Sequence, residues 1–205
     1  MAESLIGAWW ARARRRLAPK PCPYSQAWVL DLPIRAWHAG PEKILCAFAL
    51  KPGDRVLEIG PGTGYYSAVA AQMVGIEGRL ICLDIQIEML DELKRRLLPK
   101  GVASFNPVQG DACHLPIRSG SVDHVFLITV LGELRNRPLA VKEIRRVLQR
   151  NGRLSISEQF PDPDFMRLRV LRRELSAAGF VEERSHGRLV YTSTWRVDST
   201  RDNAA

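Results

Sequence analysis

Val56-Leu57-Glu58-Ile59-Gly60-Pro61-Gly62-Thr63-Gly64 runs a short apolar strand, Arg55–Ile59, into a turn built from three glycines. The residues after it, Gly64–Val74, have helical spacing. Glycine is required where backbone turns sharply and lies against a ligand. The helix start beyond it presents free N–H groups and the positive end of the helix dipole, a seat for a phosphate or a carboxylate.

The dinucleotide fingerprint Gly-x-Gly-x-x-Gly competes for this stretch. Here the third glycine, Gly64, comes one residue early and Tyr65 stands in its place. Glu58, two residues before the first glycine, would repel a pyrophosphate and instead suits a ligand carrying positive charge.

Outward from the loop, strand and helix patterns alternate. Strands are expected at Arg79–Leu83, Phe105–Gln109, Val125–Val130 and Leu154–Ser157. Helices are expected at Gln86–Leu98, Pro138–Gln149 (capped by Asn151-Gly152) and Asp164–Ala178. Such alternation means parallel strands joined by crossover helices. Val181–Ser185 and Leu189–Arg196 adjoin at His186-Gly187, a hairpin signal that places one antiparallel strand at the end of the sheet. The expectation is a Rossmann-like, doubly wound α/β domain over residues 51–198, preceded by a helical extension over 1–50 and followed by a disordered tail over 199–205.

Two further acids stand at strand ends. Asp84 lies 24 residues past Gly60 and can accept from both hydroxyls of a ribose; as a plain structural residue it would cap the helix after it. Asp111, in Gly110-Asp111-Ala112, can accept from an adenine amino group, or simply end the strand in a turn.

Together the glycine loop, Asp84, Gly110-Asp111-Ala112, Val122-Asp123-His124-Val125 and Val147–Leu154 resemble the class I S-adenosylmethionine-dependent methyltransferases over about residues 41–197. The likeness is to the ubiquinone/menaquinone-biosynthesis-like, small-molecule branch. It implies a seven-stranded sheet with one antiparallel strand and S-adenosylmethionine as cofactor. It also implies a binding set of Glu58, Gly60, Pro61, Gly62, Thr63 and Gly64 toward the methionine end, Asp84 at the ribose, Ile85, Asp111 and Ala112 at the adenine, and Thr129 and Val130 past strand four. Many relatives in this branch have Leu-His-Glu where this chain has Leu131-Gly132-Glu133, so a histidine that could serve as base is missing. The Asn/Asp-Pro-Pro-Tyr motif of DNA and protein amide methylases is also absent, which argues against those substrates.

Methyl transfer from a sulfonium needs a base only when the acceptor is protonated. Glu133 and Glu158, at the carboxyl edge, and His38, in the extension, are the candidates. His114, His124 and His186 read as structural or surface residues, and Tyr24, Tyr65 and Tyr66 as packing residues that could line the pocket.

The bulk composition sets the remaining bounds. The 205 residues are 46% hydrophobic and 25% charged, ordinary for a globular chain. Cys22, Cys46, Cys82 and Cys113 contain no Cys-x-x-Cys pair, so no metal site is expected. An arsenite-methylating relative would use several cysteines, but Cys46 and Cys82 read as core residues. No run is apolar enough for a membrane span or a signal peptide, and a cytoplasmic protein is the expectation. The net charge of +8 raises RNA modification as an alternative, yet no RNA-binding module or aromatic-basic stripe accompanies it, and nucleic acid is not the expected partner. A non-catalytic S-adenosylmethionine-binding protein is the third alternative. Residues 4–18 form a basic helix bearing Trp9 and Trp10. It either packs over the active site or contacts an anionic membrane surface, which would suit a lipid-like acceptor.

Overall fold

The computed structural model describes residues 21–25, 40–102 and 104–198. The helix expected over 4–18, His38 and the tail over 199–205 lie outside them. Seven strands form one sheet: β1 Arg55–Ile59, β2 Arg79–Asp84, β3 Phe105–Gln109, β4 Val122–Ile128, β5 Leu148–Gln159, β6 Phe180–Gly187 and β7 Val190–Val197. Their order is β3-β2-β1-β4-β5-β7-β6. β7 runs antiparallel to β5 and β6, and the other pairings are parallel. The helices are α1 Pro41–Phe48, α2 Ser67–Val74, α3 Ile87–Leu97, α4 Arg137–Val147 and α5 Leu168–Ala177.

The period-2 alternation of the strands divides the core between two faces. Val56 of β1 and Phe126 and Ile128 of β4 pack with Ile44, Leu45 and Phe48 of α1, Ala70 and Val74 of α2, and Leu93 and Leu97 of α3. Leu57, Val125, Leu127, Leu154 and Ile156 face the other way, onto Ile144 and Val147 of α4 and Leu171 and Leu175 of α5. The α1 helix, read from sequence as part of the N-terminal extension, thus packs on the sheet itself, with the Phe48 and Phe126 rings 5.7 Å apart.

Several boundaries move. β4 spans Val122–Ile128, and Thr129 leaves it with φ +56; a residue in the left-handed region cannot continue a strand. Asn151-Gly152 does not cap α4. Leu148 is already extended and pairs with Val122, so Asn151 and Gly152 lie within β5. Asn136 caps the other end of α4, its side chain accepting from the Leu139 N–H at 3.2 Å. The hairpin turns just after the expected His186-Gly187, at Arg188-Leu189, with Gly187 at φ +91 closing β6. Cys46, expected in the core, is exposed on the outer face of α1, whereas Cys82 is buried.

Candidate active site

The strand order reverses direction between β1 and β4, and the crevice beyond the carboxyl ends of strands at such a point is where open α/β sheets hold ligands. A cavity of about 530 Å³ lies there. It is lined by Glu58, Ile59, Gly60, Pro61, Gly62, Thr63, Asp84, Ile85, Asp111, Ala112, Thr129, Val130 and Glu133 among the residues read from sequence. Gly64 and Glu158 are not among the lining groups, and His38 lies outside the described residues. Gly64 has a packing role: at φ +85, an added Cβ would lie 3.1 Å from Leu97 and 3.2 Å from Leu93, so the glycine lets the turn before α2 sit on α3. The tyrosines Tyr65 and Tyr66 also line the cavity, with rings 5.1 Å apart, edge to face.

The glycine loop touches the end of β4 closely. Gly60 sits at φ +70, and a Cβ there would lie 2.5 Å from Val130 Cγ2. Its N–H donates to the Leu83 carbonyl at 2.8 Å, tying the loop to β2. Beside it, Glu58 is buried; its Oε2 accepts from Ser67 Oγ at 2.6 Å and from Cys82 Sγ at 3.7 Å. Burial pushes the Glu58 carboxyl from 4.5 up to about 7, against the pull of the Ser67 and Cys82 hydrogen bonds. A buried acid of this kind, facing a ligand cavity, marks a functional site on physical grounds.

Asp84 is 7% exposed, and its Oδ1 accepts from the Gln86 N–H at 2.9 Å while Oδ2 takes the Gly62 N–H at 3.4 Å. Burial raises its carboxyl above the ordinary value. It is not the N-cap of α3; Gln86 is. Asp111 is exposed, and its Oδ1 accepts from the Cys113 N–H at 2.8 Å in a turn. Of the cysteines, Cys22 and Cys113 line the cavity. Among the described residues, no group of three His, Cys, Asp or Glu side chains is placed to hold a metal ion.

The other half of the crevice lies over β4 and β5. Glu133 stands in a 3-10 turn, Leu131–Glu133, and its Oε2 accepts from the Cys22 N–H at 3.1 Å. Glu158 is 1% exposed, sealed beneath the segment that follows β5; its Oε2 accepts from the Met166 N–H at 3.2 Å and its buried Oε1 has no partner. Burial, then the nearby Asp162, Glu133 and Asp164, push Glu158 up to about 8. Gln159 Nε2 donates to Tyr66 Oη at 2.9 Å, joining β5 to the start of α2. Gly132 stands at the position where the family resemblance implies a histidine. A Cβ there would lie 2.0 Å from the Asp164 carbonyl oxygen. His124 is buried, shares a 2.8 Å hydrogen bond with Ser155, and burial lowers it to about 3; it is a neutral core residue. His114 and His186 are exposed.

Asp162 and Pro163 of the wall fall in the loop near Gln159–Asp164, which the sequence offers as a segment shaping the acceptor side, whereas Gln86, Leu134 and Arg135 were missed as wall residues. Only the position of Gln86 beside Asp84 could have flagged it.

The wall has two carboxylates flanking a backbone cradle that a Cβ would fill. That set repels a pyrophosphate and accepts from an ammonium and from ribose hydroxyls, as a cationic amino acid joined to a nucleoside requires.

Residues 57–156 match the family model described as a methyltransferase domain. Over that stretch, just under half of its length, the chain is similar to the class I methyltransferases. Methyltransferase relatives include the ubiquinone/menaquinone biosynthesis C-methyltransferases of Teredinibacter turnerae, 34% identical over 110 residues (53% of this chain and 44% of that protein), and of Pseudomonas putida KT2440, 36% identical over 110 residues (53% and 43%). The chain thus spans less than half the length of these two curated relatives. Among solved structures, a methyltransferase from Aquifex aeolicus, described as SAM-dependent, superposes with TM-score 0.80 at 24% identity, covering 86% of this chain and 99% of that one. The methyltransferase in the Trm112 activator complex of Haloferax volcanii gives 0.70 at 16%, covering 85% and 96%. These likenesses show the methyltransferase fold. S-Adenosylmethionine is the cofactor of this family, and the cradle between Glu58 and Asp84 fits it. Among the described residues, no helix is long and apolar enough to cross a membrane.

Proposed function

We propose that this protein binds S-adenosylmethionine in the crevice over β1 and β2 and transfers its methyl group to a small-molecule acceptor entering over β4 and β5. The observation that carries the reading is the buried Glu58 beside Gly60, with Asp84 tied to Gly62 across the same loop. Bound there, the cofactor supplies an electrophilic methyl on a sulfonium. Glu58 and the loop N–H groups take its amino-acid end, Asp84 its ribose, and Ile85, Asp111 and Ala112 its adenine. Thr129 and Val130 form the floor between cofactor and acceptor.

The leaving group is already good, so the work of the chain is placement of two reactants. Placement of this kind is worth roughly 7–11 kcal/mol. The Tyr65 and Tyr66 rings offer aromatic faces to the sulfonium. The names of the curated relatives support a quinone-type acceptor, and Leu134 and Pro163 give the acceptor side apolar surface to meet one.

The test is calorimetric titration with S-adenosylmethionine and, separately, with NAD. Micromolar binding of the first alone is expected, weakened at least tenfold by Asp84→Ala. Binding of NAD in its place would refute the reading.

A further inference from the structure

Pro21-Cys22-Pro23-Tyr24 crosses the mouth of the cavity, and its hydrogen bonds reach side chains on both sides of the glycine loop. Prolines carry no N–H, so Cys22 and Tyr24 own the only two backbone donors of these four residues. The Cys22 N–H donates to Glu133 Oε2 at 3.1 Å, beyond β4. The Tyr24 N–H donates to Gln86 Oε1 at 3.1 Å, beyond β2. Gln86 Nε2 returns a bond to the Cys22 carbonyl at 2.8 Å. One amide side chain thus reads the backbone at two alternate residues, as a neighbouring strand would. The strands that carry the two anchors, β2 and β4, flank β1, whose end is the glycine loop. Pro21 and Cys22 themselves line the cavity.

Gln86 is also held from below. Its N–H is bonded by Asp84 Oδ1, the carboxylate whose other oxygen takes Gly62. The ribose seat and the anchor of the crossing segment therefore share one turn. The flanking prolines fix φ on both sides of Cys22, so little chain entropy is lost when the segment lies down.

We propose that residues 21–24 are a strap over the bound cofactor, that Gln86 and Glu133 are the positioning residues that hold it, and that Glu133 serves as an anchor instead of a base. The proposal rests on the S-adenosylmethionine reading above. In it, Asp84 orients Gln86 for the strap and contacts the ribose with the same carboxylate, so filling the seat and closing the strap support one another.

Stopped-flow dissociation of S-adenosylmethionine from the full chain tests it, with Gln86→Ala, Glu133→Ala and Glu133→Gln. Each lost hydrogen bond is worth at least a few-fold in affinity, and the one to the Glu133 carboxylate is the stronger kind. Gln86→Ala loses two and should speed release about tenfold; Glu133→Ala loses one and should speed it about fivefold. Glu133→Gln keeps an acceptor oxygen for Cys22 and should restore slow release. The melting temperature should stay at the wild-type value in all three, which a role in holding the fold would not allow. Release rates within about twofold of wild type in both alanine variants would overturn the strap. So would a Glu133→Gln variant that fails to restore slow release. A wild-type chain that binds no S-adenosylmethionine would bring down the reading beneath it, a different outcome from bound cofactor with unchanged release.

Discussion

The two halves of the crevice are built by different means. Over β1, β2 and β3 the ligand wall is largely backbone: a glycine loop at positive φ, N–H groups, and acids placed at the last residues of strands. Beyond β4 it is side chains brought from afar: Glu133 meets Cys22 at the wall, while behind it Gln159 meets Tyr66 and Glu158 hides under the segment leading to α5. The first half has a fixed geometry. The second is assembled from contacts distant in sequence, which, on the function proposed above, frees it to change acceptor without disturbing the cofactor.

If that contrast holds, the largest effect should come from the backbone half. Gly60→Ala forces a Cβ into Val130 and an L side chain into φ +70. Overpacking and backbone strain together should cost about 2–4 kcal/mol of stability and abolish detectable cofactor binding. Gly53 is at φ +87 with nothing within 4 Å of an added Cβ, so Gly53→Ala should cost only the backbone part, about 1 kcal/mol. Urea unfolding of the two variants measures the difference; equal losses would mean the close approach to Val130 carries nothing.

A smaller effect is expected from Glu158 in the side-chain half. Its carboxyl, ordinarily at 4.5, stands at about 8 in the fold, with burial the leading cause. Between those values the folded chain keeps a proton that the unfolded chain has lost. Its contribution to stability is full below about pH 4.5 and is lost as pH rises through about 8. Glu158→Gln should remove this dependence and leave the variant more stable than wild type at pH 8, by a few kcal/mol at about 1.4 kcal/mol per pKa unit. Melting curves from pH 5 to 8.5 check it; a variant that loses stability at pH 8 would mean the carboxylate has a charged partner after all.

The smallest effect concerns Glu58, which stands at about 7. A cationic ligand favours the carboxylate, so binding expels a proton below that pH. Affinity for S-adenosylmethionine should rise by up to about tenfold per pH unit below 7 and level off above it. Glu58→Gln should bind more weakly with a flat profile. Titration in buffers of different ionisation heat would show whether the proton is released, and a flat wild-type profile would move the cation's partner elsewhere.

The same contrast decided what could be read from the sequence. That the glycine loop, Glu58, Asp84 and Asp111 meet at one cavity was legible because a tight glycine turn between strand and helix, with acids at neighbouring strand ends, is a local pattern of fixed spacing. The alternation of strand and helix gave the doubly wound sheet and its antiparallel β7 for a similar local reason. Thr129 was not legible as the end of β4, since β-branched residues read as strand and its positive φ is imposed by the surrounding structure. Nor was the burial of Glu158. A carboxylate at a strand end reads as a site residue, and only the chain that folds over it shows otherwise. Gln86 joins strap to ribose seat across 62 and 64 residues of sequence, beyond the reach of any local pattern.

Gly132 has one more consequence. The Asp164 carbonyl stands where its side chain would begin, so the missing histidine is not a gap that substitution could refill. The residue type at 132 and the path of the chain after β5 are fixed together. A side chain at 132 therefore demands another course for the backbone around Asp164, so reshaping this corner of the crevice takes a change of loop as well as of residue.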